Sequence, residues 1–294
     1  TGDIPLTATA DGTAGNFPAF YVLGGATTAI QSTAGGDITL QGTRRNGIGE
    51  GVWIGSGGGR VQTTSGDISI TGVTENSTGS NSYDGARIAA SGQVSTSAGG
   101  DILLTGTAAG SGNDVGLFGT GVLGVTATGD ITITGDTIGI AVTSSVAGSG
   151  VLTIQTRTAG RTIGIGTGAG GDLTLSASAL GRLQNGFSEI VIGNSTAGAI
   201  SVGTGLSAFT DNLRLVGSQT LAVDGVLNTG GNRLTLDIAG ATTQSAGITA
   251  TQLLLLNDTG AYTLTNTGND IGTLAADTDV IELTHGGAGA LAIG

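Results

Sequence analysis

One phrase returns along the chain and limits what it can fold into. Gly-Asp-Ile-x-Leu/Ile-x-Gly stands at Gly36–Gly42, Gly66–Gly72, Gly100–Gly106 and Gly129–Gly135. Degenerate copies begin at Gly2, Gly150, Gly171 and Gly198. Asp3, Asp37, Asp67, Asp101 and Asp130 follow one another at roughly 30 residues, within the range of solenoid repeats. The spacing then shortens to about 20 residues at Val151 and Asp172, still within that range. A kept phrase at a varying spacing predicts a fixed strand joined by loops of tolerant length. One such repeat buries too little to be stable alone, and stacked neighbours supply a continuous core.

Each early repeat holds three short strands punctuated by glycine. In residues 51–72 they are Val52–Ile54, Val61–Thr63 and Asp67–Thr71, and the pattern returns from Phe20, Gly85 and Val115. Within the phrase, apolar and polar residues alternate as in half-buried strands. Ile38 with Leu40, Ile68 with Ile70, Ile102 with Leu104 and Ile131 with Ile133 are predicted to stack inside. Thr39, Ser69, Leu103 and Thr132 are predicted to form an outward column. The glycine before each aspartate suits a tight corner. The aspartate is expected to bond local backbone N–H groups, as in Asx-turns. The expected fold is all-β: a right-handed parallel β-helix, a solenoid in one continuous rod. Residues 1–200 carry the repeats, and 201–294 continue with divergent coils. The coil type is expected to change near 160–200.

Composition agrees. Glycine is 59 of 294 residues with only 2 prolines, yet 38% of the chain is apolar and mean hydropathy is +0.28. That excludes collagen, which needs a strict triplet and abundant proline, and opposes disorder. Threonine, isoleucine and valine favour strands, and helix is expected to be scarce. The net charge is −12 with pI near 4.1. Nucleic acids and anionic membrane surfaces reward clustered basic residues, so neither is an expected partner. There is no run of 18 apolar residues, so no membrane span is expected.

At the GDI[ST][IL]xG strands the sequence resembles large bacterial surface proteins of the filamentous-haemagglutinin-like class. Shared features are the Gly/Ser/Thr-rich rungs and the lack of lysine, cysteine and methionine. The resemblance covers residues 1–205 and extends loosely beyond. It implies a right-handed β-helix, secretion across the outer membrane, and a role in adhesion or matrix formation. It carries no catalytic residues over to this chain.

Residues that carry chemistry are few. His285, the one histidine, lies in Thr-His-Gly-Gly and is expected in a turn. Asp37, Asp67, Asp101 and Asp130 should stack at about 4.8 Å. Their regularity points to corner caps; as alternatives they are candidates for calcium and, further off, for a carboxylate pair. Gly112-Asn113-Asp114 and Gly268-Asn269-Asp270 each match one fragment of calcium-binding nonapeptides. Thr-x-Thr pieces begin at Thr7, Thr105, Thr126, Thr132, Thr156 and Thr263. They do not keep one place relative to the Gly-Asp phrase, so an ice-binding face is not expected. Phe17, Phe20, Tyr21 and Trp53 are expected to form a core or end-plugging cluster, with a binding patch as the alternative. Arg44, Arg45 and Glu50 are expected in a solvated loop.

Both ends read as mid-repeat, so the chain is expected to be cut from a longer protein or covered by copies of itself. The expected function is an extracellular structural and adhesive rod, a segment of a large secreted adhesin or the protomer of a surface filament. No catalytic, cofactor-binding or metal residue is assigned. Expected partners are the chain itself, stacked head to tail, or a host or matrix glycan or protein. The alternative is a polysaccharide-acting β-helix enzyme, which needs a non-repeating charged cluster on one face.

Overall fold

The computed structural model describes residues 2–12, 17–24, 29–55, 57–76, 83–89, 91–118, 123–127 and 129–294. The chain forms a parallel β-helix. It divides into two compact units, Thr1–Leu152 with Arg182–Gln184, and Thr153–Gly181 with Asn185–Gly294.

In the first unit each coil adds one strand to each of three parallel sheets. The first sheet holds Ile4–Asp11, Ile38–Arg45, Ile68–Glu75, Ile102–Thr107 and Ile131–Thr134. The second holds Phe20–Leu23, Val52–Gly55, Ala86–Ile88, Val115–Leu117 and Ile138–Ile140. The third holds Ala29–Ser32, Arg60–Thr63, Gln93–Thr96, Leu123–Ala127 and Ser144–Gly148. Pairing follows the phrase: Ile38 lies beside Ile68, Ile68 beside Ile102, and Ile102 beside Ile131.

The predicted interior columns are the core. Ile38, Leu40, Ile68, Ile70, Ile102, Leu104, Ile131 and Ile133 are almost fully buried. Val52, Ile54, Ile88, Val115 and Leu117 close the interior from the second sheet, and Val61 and Val94 from the third. Full burial of each such side chain stabilises by about 1.5–3 kcal/mol against exposure. The outward column Thr39, Ser69, Leu103 and Thr132 is also in register as expected.

Where the third sheet turns into the first, a hydroxyl takes the place of an apolar side chain. Ser32, Thr63 and Thr96 stand in register and are buried. Ser32 Oγ accepts from Gly36 N at 2.9 Å, and Thr96 Oγ1 donates to Gly100 O at 2.8 Å. These bonds satisfy backbone groups that the corner takes out of the sheet ladder.

The second unit uses shorter coils. In the first unit the early ladder bonds span 30 and 34 residues, at Asp67 and Asp101, and the last, at Val151, spans 21. Arg233 N reaches Asn212 Oδ1 over 21 residues. Leu213–Gly217, Arg233–Ile238, Ile248–Leu264 and Asp270–Leu283 stack in parallel, with Leu213, Leu234, Leu253 and Leu274 in one column. Tyr262 is fully buried here; its hydroxyl lies 2.8 Å from Leu236 O and 2.6 Å from Leu256 O, and accepts from Ile238 N at 3.1 Å. One short helix, Ala177–Leu180, starts at Ser176, whose Oγ accepts from Ala179 N at 3.1 Å.

Candidate functional site

The phrase aspartates form a ladder along one corner. Asp3 Oδ1 accepts the backbone N–H of Asp37 at 3.1 Å, and Asp37 Oδ1 that of Asp67 at 2.8 Å. Asp67 serves Asp101 at 2.9 Å, Asp101 serves Asp130 at 2.8 Å, and Asp130 serves Val151 at 2.7 Å. The expectation of a local Asx-turn is corrected: each carboxylate bonds the next coil, not its own turn. The reason is geometric. Coils stack in register at the corner, so the next coil's N–H is the nearest donor once the strand ladder has ended. Among the described residues, no three His, Asp or Glu side chains converge as a metal ion's ligands would.

A second cluster departs from the repeat. On the second sheet Tyr21 pairs with Trp53, and Trp53 with Arg87. All three point outward. Tyr21 and Trp53 stack with ring centroids 4.9 Å apart and planes at 23°. The Arg87 guanidinium lies over Trp53 at 5.5 Å and over Phe118 at 5.0 Å. The result is one file of rings and cation running along the coils. Phe17 stands apart from it, 71% exposed. The core or end-plugging expectation for Tyr21 and Trp53 is therefore corrected to an outward stack. Tyr21 and Trp53 each cover one face of the other, and Arg87 also packs on Trp53.

Beside this file lie two buried carboxylates. Arg87 Nη1 is 3.5 Å from Glu50 Oε1 and 3.4 Å from Asp84 Oδ2, and the carboxylate side chains are only 7% and 2% exposed. Asp84 Oδ1 also accepts from Asn113 N at 2.9 Å and Asn113 Nδ2 at 3.2 Å. Burial holds Glu50 above the usual glutamate range; Asp84 adds to this, while a backbone bond and Arg87 oppose it. Burial likewise raises Asp84, against the Asn113 bonds and Arg87. Perturbed carboxyls of this kind concentrate at functional sites, though structural ion pairs produce them too.

The solvated loop expected at Arg44, Arg45 and Glu50 is thus corrected. Arg44 and Arg45 end the strand Ile38–Arg45. Arg44 is buried and its Nη2 donates to Gly12 O at 3.0 Å. Arg45 pairs with Glu75 of the next coil at 3.2 Å. Sequence reasoning missed Arg87. Its signal was present: aligning GARIAASG with GVWIGSG sets Arg87 on Trp53.

The Thr-x-Thr pieces do not stack on one another, as expected: Thr7 lies beside Gln41, Thr107 beside Val73 and Thr132 beside Leu103. Thr71, Thr105 and Thr134 are in register, as are Thr9 and Thr43. Gln41 and Val73 interrupt these columns. Thr128 lies outside the described residues. His285 follows the strand Asp270–Leu283; its Nδ1 accepts from Ile271 N at 3.4 Å and its Nε2 lies 2.8 Å from Gly289 O. Both ring nitrogens are used by backbone. Asn269, of the second nonapeptide fragment, is fully buried and bonds Gln244, Leu264 and Thr284.

No family model, curated protein or solved structure matches this chain. No helix among the described residues is long and apolar enough to cross a membrane.

Proposed function

We infer that the chain is an extracellular structural and adhesive β-helix, a segment of a large secreted adhesin or the protomer of a surface filament. The observation that carries this reading is the aspartate ladder from Asp3 to Val151. The most regular polar groups of the surface are spent on holding one coil to the next. That is the economy of a scaffold, and the stacked strands present files of outward side chains along the coils for contact with a surface. The partner is a host or matrix glycan or protein, or a second copy stacked end to end. Negative-stain microscopy of the purified chain, with and without calcium, combined with binding to glycan arrays and cultured cells, tests it. Long fibres of one-coil width support the filament form. Single particles that bind a surface support the adhesin segment. Single particles that bind nothing count against both.

A second reading, a polysaccharide-acting enzyme, is favoured by Glu50 and Asp84. They are buried carboxyls on neighbouring coils with raised proton affinity, and they form the non-repeating charged cluster such an enzyme needs. Turnover of a glycan that is lost in Glu50→Gln would establish it; a panel of acidic and neutral glycans left intact would remove it.

A further inference from the structure

The cluster around Arg87 has an unbalanced charge. One guanidinium serves two carboxylates, Glu50 and Asp84, and itself lies over the rings of Trp53 and Phe118. Among the described residues, the charges that act on Glu50 and Asp84 are those of this trio. Asp114, from the next coil, turns its oxygens to the backbone N–H groups of Ala108 and Asp136. Asn113 approaches Asp84 as a neutral donor. One negative charge is therefore left over in a place that water reaches poorly, and such a charge is costly unless neutralised. A proton is the smallest ion that neutralises it. Either carboxyl then keeps Arg87 while the other becomes a neutral acid.

We propose that Glu50, Asp84 and Arg87 form a proton-binding clasp that takes up one proton on mild acidification and thereby strengthens the first unit. The sign follows from linkage. The folded state holds the proton more tightly than the unfolded chain does. The cost of the extra charge is therefore fully present above the folded titration point. It fades as pH falls from there to the ordinary carboxylate range. Through that window the first unit gains stability, opposite to the usual acid weakening of carboxylate-paired proteins. The proposal does not depend on the adhesive reading, because it concerns proton uptake by the folded chain.

Trp53 is the one tryptophan and packs on Arg87, so its emission reports the clasp. The full chain is titrated from neutral pH to about pH 4, near the ordinary carboxylate values, with circular dichroism confirming that it stays folded. The expected trace has a one-proton step centred above the ordinary carboxylate range. Over that interval the melting temperature followed by Trp53 rises by a few degrees. Glu50→Gln, a neutral stand-in for the protonated acid, should remove the step, melt higher at neutral pH and show a flat profile. A wild-type emission trace without a step, or a wild-type melting temperature that falls through the interval, overturns the proposal. So does a folded Glu50→Gln chain that keeps the step unchanged. The wild-type trace decides alone if the variant does not fold.

Discussion

Asp101 Oδ1 accepts the backbone N–H of Asp130 at 2.8 Å, across 29 residues of chain. The same bond recurs at every Gly-Asp phrase of the first unit, so one side chain per coil replaces a missing strand bond. Asp101→Ala leaves the Asp130 N–H to water. The expected loss is about 0.5–1.5 kcal/mol, the usual worth of one such bond. Asp101→Asn keeps an oxygen acceptor and removes one of several like charges in file, so it should match or exceed wild type at low salt. Urea unfolding of the three proteins at low and high salt checks this. The advantage of Asp101→Asn should shrink as salt screens the file.

Gly72 sits where the chain crosses close to itself. A Cβ there would collide with the Gly85 carbonyl oxygen, and Gly42 and Gly106, in the same column, face the carbonyl oxygens of Gly51 and Asp114 in the same way. Neither partner is a flexible side chain that can swing away. Gly72→Ala should cost about 3 kcal/mol or more, at the upper end of overpacking effects. Gly170→Ala, with open space around it, should stay within about 0.5 kcal/mol of wild type. Thermal unfolding and limited proteolysis of the two variants make the comparison.

Tyr262 is the largest fully buried side chain among the described residues, and its hydroxyl sits among Ile238 N, Leu236 O and Leu256 O. Tyr262→Phe removes that group and leaves these backbone atoms short of a partner. A loss of about 1–3 kcal/mol is expected from the desolvated atoms left behind. Hydrogen exchange should show faster opening at Ile238, whose N–H loses its acceptor, while amides of the first unit keep their protection.

How far the sequence disclosed this protein depended on whether the property repeats. The Ile-x-Leu/Ile pairs announce their own burial, because alternation and stacking in register both follow from a period of two residues per strand and one strand per coil. The ladder partner of each aspartate did not show, because a corner carboxylate has backbone donors both in its own turn and in the next coil, and the repeat alone does not say which is nearer. The Arg87 cluster failed for a related reason. Glu50 and Asp84 carry ordinary loop sequence, and only the coil offset places them on one guanidinium. Arg44 read as a loop residue because two adjacent arginines suggest solvent, yet Arg44 and Arg45 face opposite sides of their strand.

Asp172 gives a pH dependence of the other sign from the clasp. Its Oδ2 accepts from Thr162 N and Thr162 Oγ1, each at 2.9 Å, and its Oδ1 lies 2.8 Å from Arg161 Nη1. The Thr162 backbone bond, then the Thr162 hydroxyl, hold the carboxyl below the usual aspartate range, with Arg161 adding to them. A depressed folded value means that the contribution is present above the ordinary aspartate range and is lost as pH falls through the depressed value. The carboxyl and Arg161 are both well exposed, so solvent screening keeps the effect small. Asp172→Asn should therefore be slightly less stable than wild type at neutral pH, and the gap should close in acid as the wild-type carboxyl takes up its proton. Melting curves of both proteins between neutral pH and about pH 3, below the ordinary aspartate value, follow the gap directly. A gap that stays constant over the whole range would assign the Asp172 contribution to shape rather than charge.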